Sequence, residues 1–86
     1  MIIILHRRFE KRYRLLRLAE KRKFKERRDL FLADQFHPLL NNHPLAGKYD
    51  GYRGFNVGGD LRVIFKQLDR DTVVFVEIGP HDRLYG

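Results

Sequence analysis

The chain has 86 residues, no cysteine, and 18 Lys and Arg against 11 Asp and Glu, for a net charge of +7. This length predicts one domain, residues 1–86, too small for separate cofactor and substrate domains. The lack of cysteine excludes disulfides, thiolate zinc sites and a thiol nucleophile. The apolar start, residues 1–5, is too short for a signal-peptide core or a membrane span. We interpret it as a buried strand and expect a cytoplasmic protein that does not bind membranes.

Helical periodicity follows this strand. Phe9, Tyr13 and Leu16 recur at i, i+4 and i+7. No Gly or Pro interrupts residues 7–37, so no breaker marks the boundary between two helices. We place that boundary near residues 21–23, where apolar residues disappear; one long helix is the alternative. The residues expected to point inward from the second helix are Phe24, Phe31, Leu32 and Phe36.

Positive charge is concentrated in this helical segment. Residues 7–28 contain 12 Lys and Arg and 3 Glu, a net charge of +9, whereas residues 29–86 have a net charge of −2. A charge run is usually a solvated face, but this excess is more than solubility needs. It fits a surface that meets an RNA backbone, where neutralised phosphates release counterions. The residues assigned to RNA or ribosome binding are Arg14, Arg17, Lys21, Arg22, Lys23 and Lys25, with Arg53 and Lys66 from the predicted sheet.

The pattern changes at Pro38, which is expected to end the second helix because the residue before a proline is pushed out of the helical region. Residues 38–51 are predicted to form a loop. Three runs rich in Val, Ile, Phe and Tyr are predicted strands: Tyr52–Val57, Leu61–Gln67 and Thr72–Ile78. The predicted fold class is α+β, with an N-terminal strand, a basic two-helix hairpin and an antiparallel β-meander in one sheet that carries the helices on one face.

Alternation along the central strand assigns its side chains to two faces. The face toward the helices is predicted to carry Leu61, Val63 and Phe65. The open face is predicted to carry Asp60, Arg62, Ile64 and Lys66. Gly58-Gly59 signals a hairpin turn, and two registers are compatible with it. A two-residue turn places Val57 opposite Asp60, whereas a bulged three-residue loop places Asn56 there. The second register is favoured because it also places Phe55 on the core side.

Four short motifs follow one another at characteristic spacings: Asn-His-Pro-Leu-Ala-Gly at 42–47, Tyr-Arg at 52–53, Gly-Asp-Leu-Arg-Val-Ile-Phe at 59–65 and Ile-Gly-Pro-His-Asp-Arg-Leu-Tyr at 78–85. No single motif is specific. The ordered series, which covers essentially the whole chain, resembles the RelE/ParE superfamily of toxins from type II toxin–antitoxin systems, and within it the YafQ-like branch.

The resemblance implies a single RelE/ParE-like toxin domain that acts as a ribosome-dependent mRNA endonuclease. It implies three partners, namely the ribosome, mRNA and a cognate antitoxin protein encoded beside the toxin. It implies no metal or cofactor, because the RNA 2′-hydroxyl attacks the adjacent phosphate and leaves a cyclic phosphate and a 5′-hydroxyl. This chemistry needs a base, an acid and a cation for the developing charge.

The resemblance also implies catalytic roles for five residues. His43, before the Pro-Leu-x-Gly turn, and His81, after the Ile-Gly turn, match functional histidines of the branch. Asp60 matches a strand aspartate, and Tyr85 matches a C-terminal aromatic residue. Arg62 matches a phosphate-binding arginine of the wider superfamily.

Two positions depart from the branch: Asn56 replaces a hairpin histidine, and Leu61 replaces a tryptophan. Asparagine can hydrogen-bond but cannot exchange a proton near neutral pH. A non-catalytic or degenerate RNA-binding homologue is therefore one alternative. A ParE-like DNA gyrase inhibitor is another, although such proteins lack the histidine and aspartate set. Structural explanations also stand for three residues: His43 as a loop cap, Asp60 as a turn residue and Tyr85 as a packing residue.

Overall fold

The computed structural model describes residues 1–85 and has the predicted α+β class. Its elements are strand β1 (Ile2–Leu5), helices α1 (Arg7–Arg14) and α2 (Leu18–Ala33), strands β2 (His43–Pro44), β3 (Arg53–Gly58), β4 (Leu61–Gln67) and β5 (Thr72–Pro80), and the short helix α3 (His81–Tyr85). The strands form one sheet in the order β1-β5-β4-β3-β2. β1 runs parallel to β5, and the other neighbouring strands are antiparallel. Among residues 1–85, no helix combines the length and the apolar character that a membrane crossing needs.

Aromatic side chains from α1 and α2 fill the space against the sheet. Phe31 stacks on Phe55, with ring centres 5.1 Å apart, and meets Phe75 at 5.6 Å. Phe9 packs against Phe24 at 5.4 Å, and all five rings are buried. Such pairs add about 0.5–1.5 kcal/mol each beyond their burial. Both helices therefore lie on one sheet face, and Phe55 lies on the core side, as predicted.

The break between α1 and α2 falls at residues 15–17, and the prediction near residues 21–23 is wrong. The amides of Leu15 and Leu16 donate to carbonyls three residues earlier, at 3.1 and 3.0 Å, which closes α1. Glu20 then accepts the amide of Arg17 at 2.9 Å, which satisfies one of the donors at the start of α2. These local hydrogen bonds, and not a gap in the apolar pattern, set the boundary.

α2 also ends earlier than Pro38. Its cap residue Asp34 is extended, and the Asp34 carboxylate accepts the amide of Phe36 at 3.1 Å, which turns the chain away from the helix axis. As a result Phe36 and Leu32 are 62% and 44% exposed and do not point inward as predicted. Pro38 instead begins a single 3₁₀ turn that buries Leu40.

β1 is a strand, as predicted, but it is not buried. It lies at one edge of the sheet and has β5 as its single neighbour. Ile2, Ile4 and Leu5 are exposed, and Ile3 alone packs against the core from this strand. The expectation was wrong because an apolar run does not reveal whether its strand will be central or at an edge.

The β3–β4 hairpin contains a bulge, but its register differs from both that we considered. Asn56 lies opposite Arg62 and not opposite Asp60, and the register shifts between Asn56 and Gly58. Gly59 has φ = +54°, in the left-handed region that favours glycine. The chain reverses at Gly59 and Asp60, so Asp60 belongs to the turn and not to the strand.

The sheet face away from α1 and α2 is partly covered. A side chain at Gly54 would begin 3.1 Å from the Tyr85 hydroxyl and 3.4 Å from Leu45, so α3 and the loop before β3 approach the sheet there. Ile64, directly opposite Gly54, is fully buried. It lies on the predicted face but is shielded from solvent. The open part of this face therefore lies around α3 and the loop before β3.

Candidate active site and RNA-binding face

Arg62 lies on the central strand of this second face. Asn56 is opposite it on β3, and Gly79 is opposite it on β5. Its Nη1 donates to the carbonyl of Gly59 at 3.0 Å, so the half-buried side chain curls toward the hairpin turn. Because a guanidinium carries five N–H donors, this bond leaves others for an anionic ligand.

His81 is the first residue of α3, immediately after β5. Its amide donates to the carbonyl of Asp60 at 3.0 Å, which joins the helix to the β3–β4 turn. Its imidazole meets the Tyr85 ring edge-on, with centres 4.6 Å apart, and its Nδ1 is 3.8 Å from the Asp82 carboxylate. Both His81 and Asp82 are exposed.

Tyr85 joins His81 to Arg62. Its hydroxyl is buried and has no hydrogen-bond partner among residues 1–85. Burial raises the pKa of the Tyr85 phenol, and the nearby Arg62 guanidinium opposes that shift. The phenol therefore stays protonated at neutral pH and presents a donor beside a cation. Tyr85 contacts His81 and lies beside Gly54 on the sheet face that carries Arg62, so three of the five predicted catalytic residues share one region.

His43 approaches this group from the sheet edge. It lies on β2 opposite Gly54, the residue against which the Tyr85 hydroxyl rests. Its Nδ1 is 2.6 Å from the carbonyl oxygen of Asn41, which can only accept, so Nδ1 donates to it and the contact orients the ring. Asp60 is linked to His81 through the backbone, and its side chain is exposed in the hairpin turn.

The loop before β3 supplies residues that the sequence analysis did not single out. The Tyr49 ring meets Tyr52 at 5.9 Å and Tyr85 at 6.4 Å between centres. Lys48 and Lys66 place their ammonium groups 5.4 and 5.3 Å from the centres of Tyr49 and Tyr52. Aromatic rings interleaved with cations are typical of surfaces that stack single-stranded bases. The Lys-Tyr-x-x-Tyr pattern was visible, but its position beside Tyr85 depends on the fold.

Glu77 is the one charged residue that is buried among residues 1–85. It lies opposite Ile64 and therefore on the same sheet face as Arg62. Its carboxylate is 3.8 Å from Arg8 Nη1 and 3.9 Å from Arg12 Nε. Burial raises the pKa of Glu77, and the two arginines oppose this shift. A single carboxylate within a Val- and Ile-rich strand was the signal in the sequence that could have identified this position.

The basic residues assigned to RNA binding on the helices differ in their surroundings. Four are exposed, and three of these, Arg14, Arg22 and Lys25, have no ion-pair partner among residues 1–85; the fourth is Arg17. Three have partners within the helical hairpin: Arg17 is 3.5 Å from Glu20, Lys21 lies 5.6 Å from the centre of the Tyr13 ring, and Lys23 is 3.7 Å from Glu26. Arg14, Arg22 and Lys25 keep their charge available to a large anionic partner.

The two sheet residues assigned to RNA binding lie on different faces. Lys66 extends over Tyr52 on the candidate face. Arg53 pairs with Phe65 of the core side, and its Nε donates to the Asn42 side chain at 2.7 Å. Its guanidinium lies 5.6 Å from the centre of the Phe36 ring. The structure therefore does not bring Arg53 to the candidate active site.

Solved structures define the class to which this fold belongs. The crystal structure of YafQ from E. coli strain BL21(DE3) matches with a TM-score of 0.77 and 27% identity over 98% of this chain and 97% of that one. A chain of the E. coli DinJ–YafQ complex matches with a TM-score of 0.74 and 28% identity over 98% and 97%. An archaeal RelE–RelB complex from Pyrococcus horikoshii OT3 shares the fold, with a TM-score of 0.74 and 22% identity over 95% and 96%. The fold is that of the RelE-like toxins.

A family model then narrows this class. The model describing YafQ, a bacterial toxin of type II toxin–antitoxin systems, matches residues 2–86. A comparison with curated proteins finds no match. The chain belongs to the YafQ family of type II toxins, and the resemblance inferred from its motifs is confirmed.

Proposed function

We propose that this toxin is a ribosome-dependent endonuclease that cleaves mRNA and so inhibits translation. The observation that carries the proposal is the meeting of His81, Tyr85 and Arg62 beside the lysine-flanked rings of Tyr49 and Tyr52. A proton-transfer group, a phenol and a cation at the end of a stacking surface suit the binding and cleavage of single-stranded RNA.

In the proposed reaction the 2′-hydroxyl loses its proton to a base, and its oxygen forms a bond to the adjacent phosphorus. The bond from phosphorus to the 5′-oxygen breaks, and that oxygen receives a proton from an acid. The products are a 2′,3′-cyclic phosphate and a 5′-hydroxyl, with no external reactant consumed. We assign the proton transfers to His81 and His43, and we assign stabilisation of the phosphorane charge to Arg62, with Tyr85 as a hydrogen-bond donor. Asp60, tied to His81 through the backbone, is assigned to orient this group.

A non-catalytic RNA-binding toxin is a second candidate, and Asn56 is the observation that favours it. Asn56 lies opposite Arg62, and its amide oxygen is buried without a hydrogen-bond partner in the part of the chain that the structure describes. An amide cannot replace a titrating group in proton transfer. RNA binding would survive in such a protein while cleavage would be absent.

We further propose that an antitoxin with an acidic segment neutralises this toxin. DinJ and RelB form complexes with the related toxins YafQ and RelE. The net charge of +7 here, concentrated in the helical hairpin, favours an anionic partner. Contacts mapped by hydrogen exchange on the complex should fall on the hairpin or on the His81 face; an antitoxin that leaves both unprotected would contradict this proposal.

Induction of the toxin in cells, followed by primer extension on abundant mRNAs, tests the proposed function. New 5′ ends within translated regions are expected, and they should be absent from the same transcripts lacking a ribosome-binding site. A gyrase supercoiling assay on the purified protein distinguishes an mRNA endonuclease from a gyrase inhibitor. Loss of supercoiling without new mRNA ends would overturn the proposal in favour of that function.

A further inference from the structure

Arg8 and Arg12 lie one turn apart on α1, and both extend toward Glu77. Their distances of 3.8 and 3.9 Å from its carboxylate exceed hydrogen-bond length, so charge attraction holds them while their N–H groups stay available. The Arg8 and Arg12 side chains are 61% and 40% exposed, whereas the Glu77 side chain is 10% exposed. A fixed, buried carboxylate therefore anchors two guanidiniums that face solvent.

This cluster borders an open cleft that reaches the strand next to Arg62. The cleft, of about 270 Å³, lies between α1 and α3, and its walls include Arg12, Arg17, Arg83 and Gly79. Gly79 is directly opposite Arg62 in the sheet. Three arginines line the cleft against one glutamate, Glu20, so its net charge is positive and suits an anion.

The same cluster is also continuous with the aromatic surface. Burial raises the pKa of the Tyr49 phenol, the Glu77 charge raises it further, and the Arg8 charge lowers it, so Tyr49 lies within the electrostatic reach of this cluster. Tyr49 in turn meets Tyr85. An RNA strand whose bases stack on these tyrosines would carry its backbone past Arg8 and Arg12.

We propose that Arg8 and Arg12, positioned by Glu77, bind one phosphodiester of the single-stranded RNA that flanks the cleaved bond. Two guanidiniums and one carboxylate leave a single positive charge, which complements one phosphodiester. The planar fork of arginine can contact Glu77 along one edge and phosphate oxygens along another. The inference rests on the proposed function for the identity of the ligand, but it concerns binding and not cleavage.

The first test measures binding of the purified full chain to a short, labelled single-stranded RNA across a salt series, without ribosomes. The double variant Arg8→Gln/Arg12→Gln should lower the salt slope by about 0.7, the contribution of one phosphate in single-stranded RNA. The matched control Arg7→Gln/Lys11→Gln removes the same charge from the same helix at the same spacing and should keep the slope. Equal effects of the two double variants, or no binding by the unmodified protein at low salt, would overturn the proposal.

The second test replaces one phosphodiester at a time by a neutral methylphosphonate. At the contacted linkage, binding by the unmodified protein should weaken about tenfold or more, as for loss of hydrogen bonds to a charged group. The Arg8→Gln/Arg12→Gln variant should show no further weakening at that linkage, since the interaction is already absent. Additive effects at every linkage would mean that these arginines bind no particular phosphate.

The third test concerns Glu77 as a positioning residue. Glu77→Asp keeps the charge but withdraws the carboxylate by one methylene, so net charge cannot explain its effect. We expect this variant to bind RNA more weakly and to lose the selective weakening caused by a methylphosphonate at the contacted linkage. The contribution of the other phosphates to the salt slope should stay unchanged. Binding and signature equal to those of the unmodified protein would rule out the positioning role. All three tests measure RNA binding and not cleavage on the ribosome. A toxin that does not cleave mRNA but still shows the methylphosphonate effect would therefore contradict the proposed function and leave this inference standing.

Discussion

At the residue scale, the site depends on an exposed histidine whose position is fixed by its backbone. His81 is held by the bond from its amide to the Asp60 carbonyl and by contact with the Tyr85 ring. Neither contact requires the imidazole nitrogens, so both remain available for proton transfer. The chemistry of His81 can therefore be removed with little effect on the fold.

His81→Ala should reduce mRNA cleavage by about 10²–10⁴-fold, the usual contribution of a general acid or base. Ribosome affinity and the melting temperature should stay close to those of the unmodified toxin, because the side chain is exposed. Single-turnover cleavage at saturating ribosomes measures the effect. Arg70→Ala, at an exposed position in the β4–β5 turn, is the control and should cleave normally. Full activity of His81→Ala would remove this residue from the mechanism.

Asn56→His restores a titrating group opposite Arg62. If proton transfer limits cleavage, the variant should cleave mRNA faster at unchanged ribosome affinity, because the new imidazole would lie opposite Arg62, the residue proposed to bind phosphate. Rates at several pH values on programmed ribosomes would measure this effect. An equal or lower rate would show that the site is adapted to an amide at this position.

Glu77 is expected to reduce stability. Burial raises its pKa in the folded chain despite Arg8 and Arg12. A group with a raised folded-state pKa binds its proton more tightly when folded, so stability falls as pH rises from the unfolded value through the folded one. Glu77→Gln should thus melt at a higher temperature than the unmodified toxin at pH 7, and the difference should vanish near pH 3, where Glu77 is protonated. A lower melting temperature at pH 7 would mean that the arginines outweigh burial.

At the element scale, periodicity predicted the helices and strands. It did not predict the helix boundary, the hairpin register or the edge position of β1, which depend on local hydrogen bonds, backbone angles and strand order. Leu61–Gln67 begins and ends where predicted, since its alternation is uninterrupted. The helix boundary depends on the Glu20 cap, and the hairpin register depends on the φ of Gly59, which a residue pattern does not specify. β2 is two residues long and forms through its pairing with β3 alone.

The exposed cations of α1 and α2 are predicted to dock the toxin on ribosomal RNA. Reversing three of them, in Arg14→Glu/Arg22→Glu/Lys25→Glu, should weaken ribosome binding steeply at moderate salt. The salt slope should fall by roughly 0.7–0.9 for each phosphate that the variant no longer binds. Lys23 is left in place because its side chain packs over Gly58. Cleavage at saturating ribosomes should survive.

Arg70→Glu is a control for this charge reversal, because Arg70 is exposed in the β4–β5 turn, outside the helical hairpin. It should change ribosome affinity far less than any one of the three helical reversals. Unchanged affinity and salt slope in the triple variant would show that the helical charge is a solvated face and that docking uses the sheet side.

At the scale of the whole molecule, the fold separates a basic helical side from a sheet face that carries the candidate chemistry. The motifs predicted His81, Tyr85 and Arg62 from sequence, and the structure brings them together. A lone carboxylate in an apolar strand marks Glu77 in the sequence, but the surroundings of Glu77 and Tyr49 depend on which helix and which loop pack beside them, and the sequence does not specify this. The resemblance thus selected candidate residues near the ends of strands, and tertiary contacts added Tyr49 and Glu77 as candidates.

The proposed function depends on cleavage of mRNA on the ribosome by attack of the 2′-hydroxyl. The most direct test incubates the purified toxin with ribosomes carrying a defined mRNA and analyses both new ends of the product chemically. We predict a 2′,3′-cyclic phosphate upstream and a 5′-hydroxyl downstream, with no product when ribosomes are omitted. Intact mRNA on toxin-bound ribosomes, or product ends carrying a 5′-phosphate, would contradict this account.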